Sequence, residues 1–246
     1  ISKAAAEIGL KVALSGTGGD ELFGGYTSFR DIPRWMPMTT VLSRIPGLGD
    51  GIHRLNALLA RSSRHISPKM GEIVRHGATY AGAYLVKRGR FLAEELPAVL
   101  GREVAEEGLT RLDMLGLLES AVTPDPVTPY ARVSTLESSF YLRNQLLRDV
   151  DWASMAHSLE VRVPLVDAHL LQRLAPYLVS RRGRGKEILA VSPRPPLPEE
   201  IRKRRKTGFT LPIREWLRQE GRVEFGKRSW ARKIYEVMFG EERGQW

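Results

Sequence analysis

Residues Ser15 to Tyr26 read SGTGGDELFGGY and follow directly on the apolar run Val12-Ala13-Leu14. Five glycines and two adjacent carboxylates fall within these twelve residues, whereas an ordinary turn needs one or two glycines. A strand that ends in such a turn and leads into a helix is a recurrent way to hold phosphate. Backbone amides converge there, and the helix start adds partial positive charge. Ser15 offers a hydroxyl, and Gly16, Gly18 and Gly19 let a ligand approach the backbone closely. Asp20 and Glu21 would repel bare phosphate but suit a divalent cation, such as magnesium, lying between carboxylate and phosphate. The competing reading is a tight strand-to-helix turn whose two acids favour the helix start. Gly24 and Gly25 mark close helix packing or an early break. The stretch is neither a P-loop nor a dinucleotide fingerprint, since no Gly-Lys-Ser/Thr follows and the glycine spacing differs.

Outward from this turn, Ser2 to Ile8 reads as the end of a helix stopped by Gly9, and Lys11 to Ser15 as one short strand. Beyond Glu21 the spacing is helical: Leu55, Leu58 and Leu59; Leu112, Leu115, Leu117 and Leu118; Leu142, Leu146, Leu147 and Val150. Pro33, Pro37 and Pro46 are expected to break the region after the turn. Thr123 to Pro129 (TPDPVTP) and Ser192 to Pro198 (SPRPPLP) read as an extended loop and a stiff connector. A single strand cannot satisfy its own backbone, so partner strands are expected upstream of Ile1. The absence of an initiator Met points the same way. An exposed sheet edge is liable to associate, so a homodimer is among the expectations.

The 246 residues are 42% apolar and 27% charged, the balance of a globular protein. No run of about 18 apolar residues predicts a membrane span, and no secretory signal opens the chain. With no cysteine at all, there is no disulfide framework, thiolate metal site or Cys nucleophile here, and a cytoplasmic location is expected. The net charge of +10 suits a nucleic acid, membrane phosphates or a nucleotide, or else reflects arginine on solvated faces.

Two further stretches carry chemistry. In Asp151 to Asp167, DWASMAHSLEVRVPLVD, the alternation around Val161 puts Glu160 and Arg162 on one side if extended. These two and Asp167 read either as a structural ion pair within an apolar frame or as substrate contacts. His157 reads as a packing residue. In Arg202 to Lys206 (RKRRK), five cations fit a nucleic-acid patch or a solvated helix end.

Together these stretches resemble the asparagine synthetase family in its synthetase domain. SGTGGDELFGGY resembles the family's SG-x-G-x-DE-x-FGGY, and DWASMAHSLEVRVPLVD its D-x-ASMAHSLE-x-RVPFLD. Gly185 to Pro212, GKEILAVSPRPPLPEEIRKRRKTGFTLP, resembles its GK-x-x-L, LPEEI and R-x-K-x-GF-x-x-P. The resemblance implies an α/β, adenine-nucleotide alpha hydrolase-like fold. This chain would carry mostly helix with one short parallel-sheet strand near its start: residues 1–30 end the nucleotide-binding core, 31–240 form the helical remainder and 241–246 a frayed tail. It implies an ATP- and magnesium-dependent ligase that adenylates aspartate to β-aspartyl-AMP, releases pyrophosphate, and transfers ammonia from a glutaminase domain. By the same resemblance Ser15, Gly16, Thr17, Gly18 and Gly19 face the nucleotide phosphates and Asp20 holds magnesium. Lys206 would be catalytic, steadying the departing phosphates, with help from Lys186. Thr207, Gly208 and Phe209 would bring the chain close beside the ligand.

Three departures stand out. The family's SGG-x-DS loop and its glutaminase domain are not in this chain, so the chain alone is expected to make no asparagine. Thr17 stands where the family has an acid. Asn144 and Gln145, in LRNQLLRD, stand where acids precede the second motif. The acceptor could therefore be another carboxylate, as in an amidating or β-lactam-forming relative. A basic helical module that binds nucleic acid is the alternative from another class; few aromatics accompany RKRRK, which disfavours it.

Overall fold

The computed structural model describes residues 1–52, 54–55, 69–180, 185–204, 215 and 227–239. The described chain is helical apart from two short strands, and it divides into two compact units. The first comprises residues 1–87 and 114–202, the second 88–113 and 203–246.

In the first unit, helix α1 (Ser2–Glu7) ends at Ile8, with Gly9 at φ 86° as the helix stop. Strand β1 (Val12–Leu14) then leads through the glycine turn to a single helical turn, α2 (Gly19–Leu22). The sequence indicated one strand; the described residues form two. Strand β2 (Glu160–Arg162) pairs parallel with β1 in the register Val12↔Glu160, Ala13↔Val161 and Leu14↔Arg162. Short extended segments are specified by their remote partners more than by their own propensity, and this partner lies far along the chain. Val12 and Leu14 remain 42% and 76% exposed, unusual for parallel strands, which are normally covered on both faces.

Helix α3 (Ser28–Leu42) runs through both Pro33 and Pro37, so the expected break there does not occur. An interior proline costs about 3 kcal/mol, and packing offsets it. Ile32 is fully buried in a cluster with Ala81, Ala83, Tyr84, Leu118, Val133 and Leu136. Thr39 Oγ1 also donates to Gly77 O at 2.6 Å, tying the helix to the segment after α4 (Lys69–His76). The other walls of this core come from α5 (Tyr80–Arg88), α8 (Met114–Ala121) and α9 (Pro129–Leu136). The TPDPVTP loop turns directly into α9: Thr128 caps the helix, accepting from Ala131 N at 3.2 Å, with Pro129 in the first turn. Leu58 and Leu59 lie outside the described residues.

A π-helical segment, Glu137–Leu146, continues α9 and passes into α10 (Leu147–Met155). After β2 come α11 (Ala168–Ser180), α12 (Gly185–Val191) and α13 (Glu199–Arg202), the last two joined by the proline connector. A second cluster of Leu22, Phe23 and Leu178, with Leu174 and Leu189 against it, packs α2 among α11 and α12.

The second unit holds α6 (Leu96–Leu100), α7 (Arg102–Leu112) and α14 (Lys227–Phe239). Its Arg228 pairs with Glu95 and lies 4.6 Å from the Phe91 ring centroid. The leucine run 112–118 is split between α7 and α8 by Asp113, which is left-handed at φ 37°.

Candidate active site around the glycine turn

The strand carries the backbone to the turn and fixes its first residue: Ser15 N donates to Arg162 O at 2.9 Å, extending the β1–β2 ladder. The Ser15 and Thr17 hydroxyls then bond each other at 2.8 Å, and Thr17 N donates to Ser15 Oγ at 3.2 Å. Such hydroxyl-to-amide bonds stabilise a tight turn locally. Gly19 N closes the turn on Gly16 O at 3.2 Å. Among the described residues the Gly16 and Gly18 amides donate no hydrogen bond.

The glycines differ in what they do. A Cβ on Gly16 would meet nothing within 4 Å, so its backbone faces open space. Gly18 adopts φ 93°, and a Cβ there would lie 2.6 Å from Val166 Cγ2; on Gly19 it would lie 3.0 Å from Leu165 Cδ1. These two glycines therefore serve close packing against the VPLVD segment of the second motif. Gly24, at φ 66°, packs against the Tyr130 ring, where a Cβ would meet Cε2 at 2.9 Å. Tyr130 Oη in turn donates to Leu22 O at 2.5 Å, and burial pushes this phenol up to about 12.

The two acids of the turn go separate ways. Asp20, half-buried, lines a cavity of about 250 Å³ together with Gly16, Gly19, Leu165, Leu189 and Leu197. All three sequence motifs thus contribute a wall to one space beside the turn. Glu21 points elsewhere and is 1% exposed. Its Oε1 accepts from Tyr26 Oη at 2.7 Å, while its buried Oε2 has no partner among the described residues. Burial raises the Glu21 carboxyl above its ordinary range; the Tyr26 bond only partly offsets this, and nearby Asp20 and Glu137 add to it. The Tyr26 phenol is also raised, first by desolvation and then by its bond to Glu21.

A carboxyl raised in the folded state stabilises the fold most below its unfolded value, near 4.5. That contribution is lost as pH rises through the higher folded value. Glu21→Gln keeps an acceptor for Tyr26 and removes the charge. In thermal melts from pH 4 to 8 the variant is expected to lose less stability than the parent on going from acid to neutral; parallel curves would contradict the burial argument.

The second motif is placed differently from the expectation of a pair within an apolar frame. Arg162 Nε donates to Glu160 Oε1 at 2.8 Å, but the two side chains are 63% and 58% exposed. They stand on an open face of β2, hold no helical body together, and such a surface pair adds little stability. Asp167 caps α11, its Oδ1 accepting from Leu170 N at 2.6 Å. His157 is exposed. Lys186 belongs to α12, but its side chain lies outside the described residues, as do Lys206, Thr207, Gly208 and Phe209. The sequence reading quoted Tyr26 without a role and missed Tyr130, Glu137 and Arg143. For Tyr26 the signal was there, five residues after a glutamate in a glycine-rich turn; Tyr130 and Glu137 become visible only through contacts remote in sequence, and Arg143 only as part of a cavity wall.

A family model described as asparagine synthase matches residues 1–233. The chain belongs to the asparagine synthase family. Asparagine synthetase (glutamine-hydrolyzing) 1 of Bacillus subtilis (strain 168) is 29% identical over 240 residues, 92% of this chain and 33% of its own length. A putative asparagine synthetase (glutamine-hydrolyzing) of Mycobacterium tuberculosis (strain ATCC 25618 / H37Rv) is 30% identical over 223 residues, 85% of this chain and 31% of its own. A Mycobacterium bovis protein with the same description matches to the same extent. The chain thus spans about a third of the length of the curated relatives it matches. No solved structure gives a significant match.

Proposed function

We propose that this chain is the synthetase portion of a longer ATP-dependent amidotransferase that activates a carboxylate by adenylation and then converts it to an amide. The observation that carries this reading is the cavity beside the glycine turn, where Gly16, Asp20, Leu165 and Leu189 from all three family motifs meet. The expected sheet partners, an adenine-nucleotide alpha hydrolase-like remainder, would add strands at an open edge of the β1–β2 pair and cover the exposed Val12 and Leu14.

The donor set fits magnesium. One carboxylate, Asp20, lines a space bounded by open backbone, and magnesium is typically held by one or two carboxylates plus substrate phosphate. When bound, the ion would neutralise phosphate charge. The Gly16 amide, beside Asp20 in this cavity, would donate to a phosphate oxygen, and Lys206 would stabilise charge growing on the leaving pyrophosphate. In the reaction itself, an oxygen of the acceptor carboxylate bonds to the α-phosphorus of ATP as the bond to pyrophosphate breaks. Ammonia, supplied from glutamine by a glutaminase domain, then attacks the acyl carbon, and AMP leaves with the amide formed. Positioning and charge neutralisation supply the catalysis.

Aspartate is the acceptor that the family implies. Another carboxylate is favoured by Thr17, whose hydroxyl bonds Ser15 where the family places an acid. Pyrophosphate release by the full-length protein with ATP, magnesium and aspartate tests the first reading. Release with another carboxylate and none with aspartate would replace asparagine as the product. No release with any carboxylate would overturn the synthetase reading.

A further inference from the structure

A second cavity, of about 330 Å³, opens on another side of the glycine turn and shares Leu165 with the first. Gly18 and Glu21 of the turn line it, but most of its wall is apolar, from Leu22, Leu142, Leu147 and Leu171. Its size falls at the lower end of small-molecule sites, roughly 300–1,000 Å³. The π-helical segment shapes one side: its i→i+5 bonding widens the turn, so that Ser138, Leu142 and Arg143 all face the space. π-helical bonding is rare in proteins.

The charges in this cavity have a particular arrangement. Arg143 and Asp167 both line it, yet they form no ion pair with each other. Arg143 Nε donates only to Asn144 Oδ1 at 3.2 Å, and among the described residues its guanidinium meets no carboxylate. Asp167 uses Oδ1 to cap α11, and among the described residues its second oxygen accepts no hydrogen bond. Glu21, the remaining acid of the lining, is buried and bonded to Tyr26. The space therefore offers one cation, one anion and apolar walls. The geometry points to a binding site for a free α-amino acid with an apolar side chain, its carboxylate on Arg143, its ammonium at Asp167 and its side chain among the leucines. Aspartate fits poorly, because its second carboxylate would lie against those walls unpaired, and burying such a charge is costly. This site is distinct from the cavity lined by Asp20, and its occupancy needs no nucleotide.

Binding to the full chain without ATP tests this, with L-leucine, L-phenylalanine, N-acetyl-L-phenylalanine, L-phenylalaninamide and L-aspartate as probes in calorimetry. The free apolar amino acids are expected to bind at least about tenfold more tightly than either blocked form or aspartate, a tenfold change being the loss of one modest contact. Arg143→Gln should abolish discrimination against the amide. Asp167→Asn, which retains the helix cap, should abolish discrimination against the N-acetyl form. Equal binding of free and blocked phenylalanine by the parent chain, aspartate binding as tightly as leucine, or no binding of leucine or phenylalanine would overturn the proposal. Because nucleotide is absent, none of these outcomes depends on the synthetase reading.

Discussion

Replacing Gly18 with valine is expected to destabilise the first unit by about 2–5 kcal/mol, combining left-handed backbone strain of roughly 1–2 with overpacking of roughly 1–3. Two independent features set this expectation. The backbone at Gly18 has φ 93°, a region β-branched residues scarcely enter. Its missing side chain is also the space that Val166 occupies, at 2.6 Å from where a Cβ would sit. A domain with about 5–15 kcal/mol of stability would lose a large share of it, and urea unfolding would show the midpoint fall. Gly16→Ala makes the control, since Gly16 faces open space; that variant should unfold near the parent midpoint. Equal midpoints for Gly18→Val and the parent would mean that the turn and the VPLVD segment do not close on each other as described.

The same position shows what could and could not be read in the sequence. The strand, the glycine turn and the short helix after it were legible, because Val12-Ala13-Leu14 and the glycines act locally. That Gly18 and Gly19 serve the approach of Leu165 and Val166 was not legible, since the partner lies nearly 150 residues away along the chain. Strand β2 has the same cause: its alternation was visible, but only pairing with β1 makes it a strand. At Pro33 and Pro37 the local rule pointed to a break, and the burial of Ile32 overrode it. Glu160 and Arg162 were correctly placed together, but that they stand on an open face was not legible, because alternation tells which residues share a face and not what covers that face. Asp20 and Glu21 looked equivalent as neighbours. One lines the cavity and the other turns inward to Tyr26, a separation that depends on where Tyr26 folds back.

This separation underlies the second large prediction. If Asp20 is the carboxylate that meets magnesium, Asp20→Asn should weaken magnesium-dependent nucleotide binding by at least about 100-fold, the upper end of what loss of an outer-shell partner costs a metal site. Glu21→Gln should leave that affinity within about threefold, well under the 1.4 kcal/mol that a tenfold change represents, because its carboxyl lies away from the cavity. The contrast between adjacent acids excludes a general effect of charge, since each substitution removes one carboxylate from the same turn. Fold integrity is checked in both by thermal melts. Asp20 is half-buried and its substitution by asparagine is nearly isosteric, so no large loss of stability is expected there.

The most direct measurement is a calorimetric titration of ATP into the full-length protein, with magnesium and again with the metal chelated. The account predicts tight binding only with magnesium, and loss of that difference in Asp20→Asn. Equal affinity with and without the metal, or an unchanged magnesium effect in Asp20→Asn, would contradict it.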